Sequence, residues 1–221
     1  MNSKKVEIIL TTLNAMPHIK STFEALKESD FKDFRIIVQD GKSIDGTAQY
    51  IQTQKKFLDI DLVSSPDSGM ADGYMRALQR AGKAEFIVFL AADEQLEKNF
   101  FDIHFKHFNK NPDLIVVYGS VLLFNPKTKI KQLFNAGNFT LEKVINCECI
   151  PPLSTCMFNM NALGNFLLVR GVHLCADYDL WLRLALKYPE EKFLNIHDLL
   201  SRNRMDEVST SFRSNSYLLV A

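Results

Sequence analysis

Short apolar runs that end abruptly on a polar or acidic residue recur through the first half of the chain. Val6-Glu7-Ile8-Ile9-Leu10-Thr11-Thr12-Leu13 stops at Asn14, Phe34-Arg35-Ile36-Ile37-Val38-Gln39 stops at Asp40, and Glu85-Phe86-Ile87-Val88-Phe89-Leu90-Ala91-Ala92 stops at Asp93-Glu94. Runs of this length, separated by helical patterns, read as buried parallel strands. Ile19, Phe23 and Leu26 share one face of a helical pattern over 18–28. A second helix begins near 46, with Ala48, Ile51 and Lys55 on its faces. A third strand at 60–63 leads to a helix over 69–81 closed by Gly82, and strand 85–92 precedes a helix near 97–108. This alternation predicts an α/β fold whose mostly parallel sheet is covered by helices on both faces. Ligands of such sheets bind outside the carboxyl ends of the strands. Asn14, Asp40 and Asp93 would therefore gather along one edge, where a phosphorylated ligand and its metal could sit.

The second half is less regular. Residues 114–124 read as a long strand kinked at Gly119, and 125–150 as a hairpin or loop plus a short helix. Pro151-Pro152 marks a break. Asp177 to Tyr188 is an amphipathic helix with Leu180, Trp181, Leu184, Ala185 and Tyr188 on one face and an Asp179–Arg183 pair at i,i+4. A last strand covers 192–200. There is no internal repeat and no clear linker.

The 221 residues suit one large domain, and 47% hydrophobic content with 17 phenylalanines supplies an aromatic-rich core. A formal net charge of zero argues against nucleic acid as a partner, which needs a basic face. The four cysteines (Cys147, Cys149, Cys156 and Cys175) match no zinc spacing and read as free thiols in a reducing compartment. The chain enters a strand at once, which leaves no room for a signal peptide. No apolar stretch reaches the ~18 residues of a membrane span. The expected location is cytoplasmic, with peripheral contact at the inner face of the membrane left open.

Each candidate cluster also has a plainer reading. In Asp40-Gly41-Lys42-Ser43-Ile44-Asp45-Gly46-Thr47, residues Ser43, Asp45 and Thr47 suit a strand–turn–helix junction with caps. Asp40, at the strand end, suits that reading less well and could accept from a base N–H. Asp72, Arg76 and Arg80 form a stripe on one helical face, which by spacing alone reads as a solvated ion-pair face. Asp93-Glu94 could either bind Mg²⁺ together with substrate phosphates or cap the next helix. Asp177 opens the amphipathic helix and reads first as an N-cap, since a general-base role needs a carboxylate within reach of an attacking hydroxyl, which spacing does not show. The five histidines form no metal-binding set, and His104 and His107 are expected to be solvated.

Taken together, these segments resemble the family 2 glycosyltransferases over roughly residues 6–210. Ile8-Ile9-Leu10-Thr11-Thr12-Leu13-Asn14 resembles the family's opening strand, and 36–47 its "VVDGGSTDGT" segment. Ser65-Pro66-Asp67-Ser68-Gly69-Met70-Ala71-Asp72-Gly73-Tyr74 is similar to "EPDKGIYDA", Phe89–Leu96 to the metal-binding "FLNADDxL", and Asp177–Leu184 to "DYDLWLRL". The resemblance implies a GT-A fold: a Rossmann-like, mostly parallel central sheet with helices on both faces and a smaller irregular acceptor-side region. It implies a single domain over 1–221, with a nucleotide-sugar-binding half (1–110) and an acceptor-binding half (111–221). Thr12, Asn14, Asp40, Asp67, Asp72, Arg76, Ala92 and Arg204 would bind the nucleotide sugar, with Asp40 on the base, commonly uracil. Asp93 would hold a divalent cation, Mg²⁺ or Mn²⁺. Asp177 would deprotonate the hydroxyl of a glycan or lipid-linked acceptor, giving inversion.

The chain also departs from the pattern. Ala91 replaces the first acid of the DxD motif, and Glu94 is the last. The family's histidine before a Ser/Thr pair is missing from 149–155, and 202–209 matches "YRxGGxS" only loosely, with Arg204 and Ser209 as candidates to cover the phosphates. Two rival functions follow: a non-catalytic sugar-nucleotide-binding module, and a sugar-phosphate nucleotidyltransferase. The second is disfavoured because the loop 14–18 has no glycine-rich, basic character.

Overall fold

The computed structural model describes residues 4–16, 18–163 and 176–205. Strands β1 (Val6–Thr12), β2 (Phe34–Asp40), β3 (Ile60–Ser64) and β4 (Phe86–Ala91) alternate with helices α1 (His18–Glu28), α2 (Thr47–Gln54) and α3 (Met70–Leu78). Then come β5 (Glu94–Leu96), α4 (Phe100–Lys110), β6 (Val116–Phe124), β7 (Lys131–Phe134), α5 (Leu141–Ile145), β8 (Met157–Asn159), α6 (Met160–Leu163), α7 (Ala176–Lys187) and β9 (Phe193–Arg204). One sheet runs β3-β2-β1-β4-β8-β6-β9-β5, with β7 paired to β6 as a hairpin. The pairs β3–β2, β2–β1, β1–β4 and β6–β9 are parallel, whereas β8 is antiparallel to both its neighbours and β5 is antiparallel to β9.

Successive side chains of a strand point to opposite faces, and here each face has its own apolar cluster. Ile8, Leu10, Ile36 and Val38 pack with Ile19, Phe23, Ile51 and Phe100, which places α1, α2 and α4 on one face. Ile9, Ile37 and Phe89 pack with Tyr74, Ala77, Leu180 and Trp181, which places α3 and α7 on the other. The helices expected on both faces are therefore present. Gly73 lets α3 close on β1: a Cβ there would lie 2.8 Å from Thr11 Cγ2.

The expected kink at Gly119 is a register shift in the β6–β9 pairing on either side of Ser120. A Cβ at Gly119 would lie 2.8 Å from the Asp198 carbonyl oxygen. Two strands were not expected. Residues 157–159 are too few to show a period, yet Asn159 fixes them in place by donating from Nδ2 to the carbonyls of Pro112 and Leu114. Glu94–Leu96 pairs with β9 instead of capping a helix.

His104 corrects the expectation of a solvated side chain. It shares the apolar stripe of Phe100, Phe101 and Phe108 and is fully buried. Its Nδ1 lies 2.7 Å from the Phe100 carbonyl and its Nε2 lies 3.2 Å from that of Thr155, linking α4 to the 153–155 turn. Burial, the largest cause, pushes its pKa down to about 4 from 6.5. The unfolded chain thus takes up this proton at a higher pH than the folded one. Stability that is fully present above pH 6.5 is lost as pH falls towards about 4. His104→Gln cannot titrate. Urea unfolding should therefore show the stability gap between wild type and variant shifting in the variant's favour from pH 7 down to 4.

Candidate active site

The β1–α1 and β2–α2 loops are stapled together at the carboxyl edge. Asn14 adopts φ 49°, a left-handed conformation that asparagine tolerates. Its backbone N–H donates to Ser43 Oγ at 2.8 Å, and its Oδ1 accepts from Ile44 N at 2.9 Å. Ala15 N donates to Thr47 Oγ1, and Met16 N to Asp45 Oδ2. Asp40 is fully buried beneath this staple. Its carboxylate accepts from Ser43 N, Ser43 Oγ and Ser64 Oγ, so much of its acceptor capacity is used within its own loops.

A cleft of about 450 Å³ opens beside these loops, lined by Thr12, Asn14, His18, Asp67, Ala92 and Asp93 among others. Five of the expected site residues therefore share one cavity. Thr12 Oγ1 is buried without a hydrogen-bond partner among the described residues, an unusual state for a polar atom. The Asp67 carboxylate lies against Gly41 and Gly73 and accepts from Gly69 N. Burial first, and then the charges of Asp72 and Asp40, raise its pKa.

Asp72 and Arg76 do not line this cleft. Asp72 Oδ2 accepts from Ser68 N at 3.0 Å and from Arg76 Nε at 2.8 Å, and these bonds, Ser68's first, lower its pKa. The two residues thus brace the start of α3 behind Asp67. Arg80 reaches across the sheet edge, donating to Gln39 Oε1 and to the Val38 carbonyl.

The acidic loop after β4 is held from three directions. Thr22 Oγ1 donates to the Ala92 carbonyl at 2.8 Å, Ala91 N donates to Glu94 Oε2 at 2.7 Å, and Asn203 Nδ2 donates to Glu94 Oε1 at 2.7 Å. Asn203 in turn bonds Ser154 of the 153–155 turn. Glu94 therefore turns inward, and burial, reinforced by Asp93, pushes its pKa up to about 8. Asp93 is left as the carboxylate of this loop that faces the cleft.

Asp177 lies in the first turn of α7 and is exposed. The Tyr74 phenol ties it to the same region. Burial raises the Tyr74 pKa well above its ordinary value, and the charges of Glu94, Asp93 and Asp177 raise it further. Three acids, from the loop after β4, from β5 and from α7, thus act on one ring. Arg204, the last residue of β9, donates from Nη1 to His18 Nδ1 at 2.9 Å and so stands behind His18, which lines the cleft. Ser209 lies outside the described residues.

Sequence reasoning missed Thr22, His18 and the inward turn of Glu94. Thr22 did leave a signal, as the one hydroxyl on the apolar stripe of Ile19, Phe23 and Leu26. The contact of His18 with Arg204 left none, the two being 186 residues apart.

A largely parallel sheet covered on both faces, with a cleft at the carboxyl edge of its strands, is the architecture of the GT-A fold, and the similar solved structures share it. The profile of glycosyl transferase family 2 matches residues 7–163, and the chain belongs to that family. It is 28% identical over 99 residues to the GalNAc(5)-diNAcBac-PP-undecaprenol beta-1,3-glucosyltransferase of Campylobacter jejuni, covering 42% of this chain and 30% of that one. The fold is similar to S. aureus TarS 1-349 in complex with UDP-GlcNAc, with TM-score 0.71 and 17% identity over 93% of this chain and 60% of that one. It is also similar to the mannosyltransferase PcManGT of Pyrobaculum calidifontis in complex with GDP-Man and Mn2+, with TM-score 0.67 and 18% identity over 97% of this chain and 60% of that one. The chain thus spans less than two thirds of the length of these relatives.

The inward role of Glu94 is testable. Glu94→Leu leaves Ala91 N and Asn203 Nδ2 without their acceptor and should cost about 1–3 kcal/mol per unpaired group. Glu94→Gln, which keeps an acceptor, should cost clearly less when both are compared by urea unfolding.

Proposed function

We propose that the chain is an inverting glycosyltransferase that moves a sugar from a UDP-linked donor to a hydroxyl of a glycan or lipid-linked acceptor in cell-surface polysaccharide biosynthesis. One observation carries this reading: Thr12, Asn14, Asp67, Ala92 and Asp93 converge on a cleft, and the buried Thr12 hydroxyl lacks a partner among the described residues. Rotation of that hydroxyl towards a nucleotide bound in the cleft would give it a partner. The UDP-GlcNAc complex of TarS supports the choice of donor, and the undecaprenol-linked compound in the name of the C. jejuni relative supports the choice of acceptor.

In this reading Asp40 and Asp67 address the base. Asp40 acts through the acceptor capacity that Ser43 and Ser64 leave, while Asp72 and Arg76 hold the loop that carries Asp67. Asn14 and Ala92 shape the wall of the cleft, and Arg204 closes it towards the diphosphate.

The donor set fits a divalent cation narrowly. Glu94 is engaged inward, Ala91 carries no ligand atom, and no cluster of three or more metal-ligating side chains occurs among the described residues. Mg²⁺ typically takes one or two carboxylates together with substrate phosphates, so Asp93 with the donor's diphosphate oxygens would suffice. Such an ion neutralises charge on the departing diphosphate.

Asp177 accepts the proton of the acceptor hydroxyl. The acceptor oxygen bonds to the anomeric carbon from the face opposite the diphosphate. The bond from that carbon to the diphosphate oxygen breaks, and the nucleoside diphosphate leaves. An acceptor carried on a lipid would bring the protein to the cytoplasmic membrane surface. No helix among the described residues is long and apolar enough to cross a membrane.

Asp177→Asn removes the base and keeps the shape. Sugar transfer should fall by at least about 10²-fold, while affinity for the nucleotide and the unfolding midpoint stay near wild type. Near-normal transfer by this variant would remove Asp177 from the mechanism.

A further inference from the structure

We propose that His18 is a diphosphate-binding residue of the donor site, and that Arg204 is the positioning residue that fixes which ring nitrogen carries the proton. The proposal rests on the donor-site reading above. A guanidinium has donors only, so the 2.9 Å contact between Arg204 Nη1 and His18 Nδ1 makes Nδ1 the acceptor. The proton of the ring then sits on Nε2, which becomes a fixed donor. The ring opens α1 and lines the cleft together with Asn14, Ala92 and Asp93. The lining includes two carboxylates, Asp67 and Asp93, and contains neither lysine nor arginine. Among the described residues an anionic diphosphate therefore meets few side-chain N–H donors there, and His18 supplies one from α1, the helix whose Thr22 holds the Ala92 carbonyl next to Asp93.

The end of β9 makes this placement robust. Adjacent residues of a strand point opposite ways. Asn203 reaches Glu94 while Arg204 reaches His18. One strand end thus sets both the acidic loop and the imidazole.

The test is calorimetric titration of the full chain with UDP and with uridine. His18→Phe keeps a ring and removes its N–H. UDP should bind about tenfold more weakly or worse, because a bond to a charged oxygen is lost. Uridine, which has no phosphate, should bind as it does to wild type. His18→Gln returns an N–H near the Nε2 position and should recover part of the lost UDP affinity, which also guards against a folding defect. The ¹⁵N shifts of the His18 ring report the tautomer directly: Nδ1 should be unprotonated in wild type and partly protonated in Arg204→Leu. UDP binding unchanged in His18→Phe, UDP and uridine weakened alike, or a protonated Nδ1 in wild type would each overturn the proposal. If wild type bound neither UDP nor uridine, the donor-site reading would fall and His18's role with it. If wild type bound UDP and His18→Phe bound it equally well, the role of His18 alone would fall.

Discussion

Glu94 joins the two halves of the molecule at the site. Its carboxyl accepts from the backbone of β4 on one side and from Asn203 of β9 on the other, and Asn203 extends the network to Ser154. A buried acceptor that lost these donors would leave several polar groups unpaired at once, at a cost of about 1–3 kcal/mol each. The inward turn of Glu94 therefore fixes the path of the loop that carries Asp93. It also fixes where β9 ends, and with that the position of Arg204. Where the family pattern has acids, this chain keeps one facing the cleft and uses its neighbour as a strut.

The other wall of the cleft depends on a different network with the same logic. Asn14, Ser43, Asp45 and Thr47 bind the first two loops through backbone N–H groups, and Asp40 anchors them from below. Residues at such strand ends can be read as ligand contacts or as structural braces. The bonding shows that Asn14 and Asp40 brace the loops. Thr12 is the opposite case, since its buried hydroxyl has no partner among the described residues. The cleft is thus built by residues that are already satisfied and finished by one that is not.

Most of the first half was legible in the sequence, because β1, β2 and β4 are buried on both faces and the helices between them are long enough to show their period. The alternation of β1, β2, β3 and β4 with α1, α2 and α3 follows from those runs. The second half hid more. Met157–Asn159 has three residues, and its place between β4 and β6 is set by long-range pairing. His104 looked like a surface histidine, although its spacing from Phe100 and Phe108 already put it on the buried stripe. Among the site residues, those at strand ends were found because parallel-sheet topology puts them together. Glu94, Thr22 and the His18–Arg204 pair act through contacts between distant segments, which no local spacing records.

The central claim is that the carboxyl edge of this sheet holds a nucleoside diphosphate between the β1–α1 loop and the Asp93 loop. A crystal structure of the chain grown with UDP and Mn²⁺ tests it most directly. The account predicts the base against Asp40 and Asp67, the diphosphate between His18 and Asp93, and the cation held by Asp93 and phosphate oxygens with Glu94 still turned inward. A nucleotide bound away from this edge, or a cation held by Glu94 in place of Asp93, would contradict it.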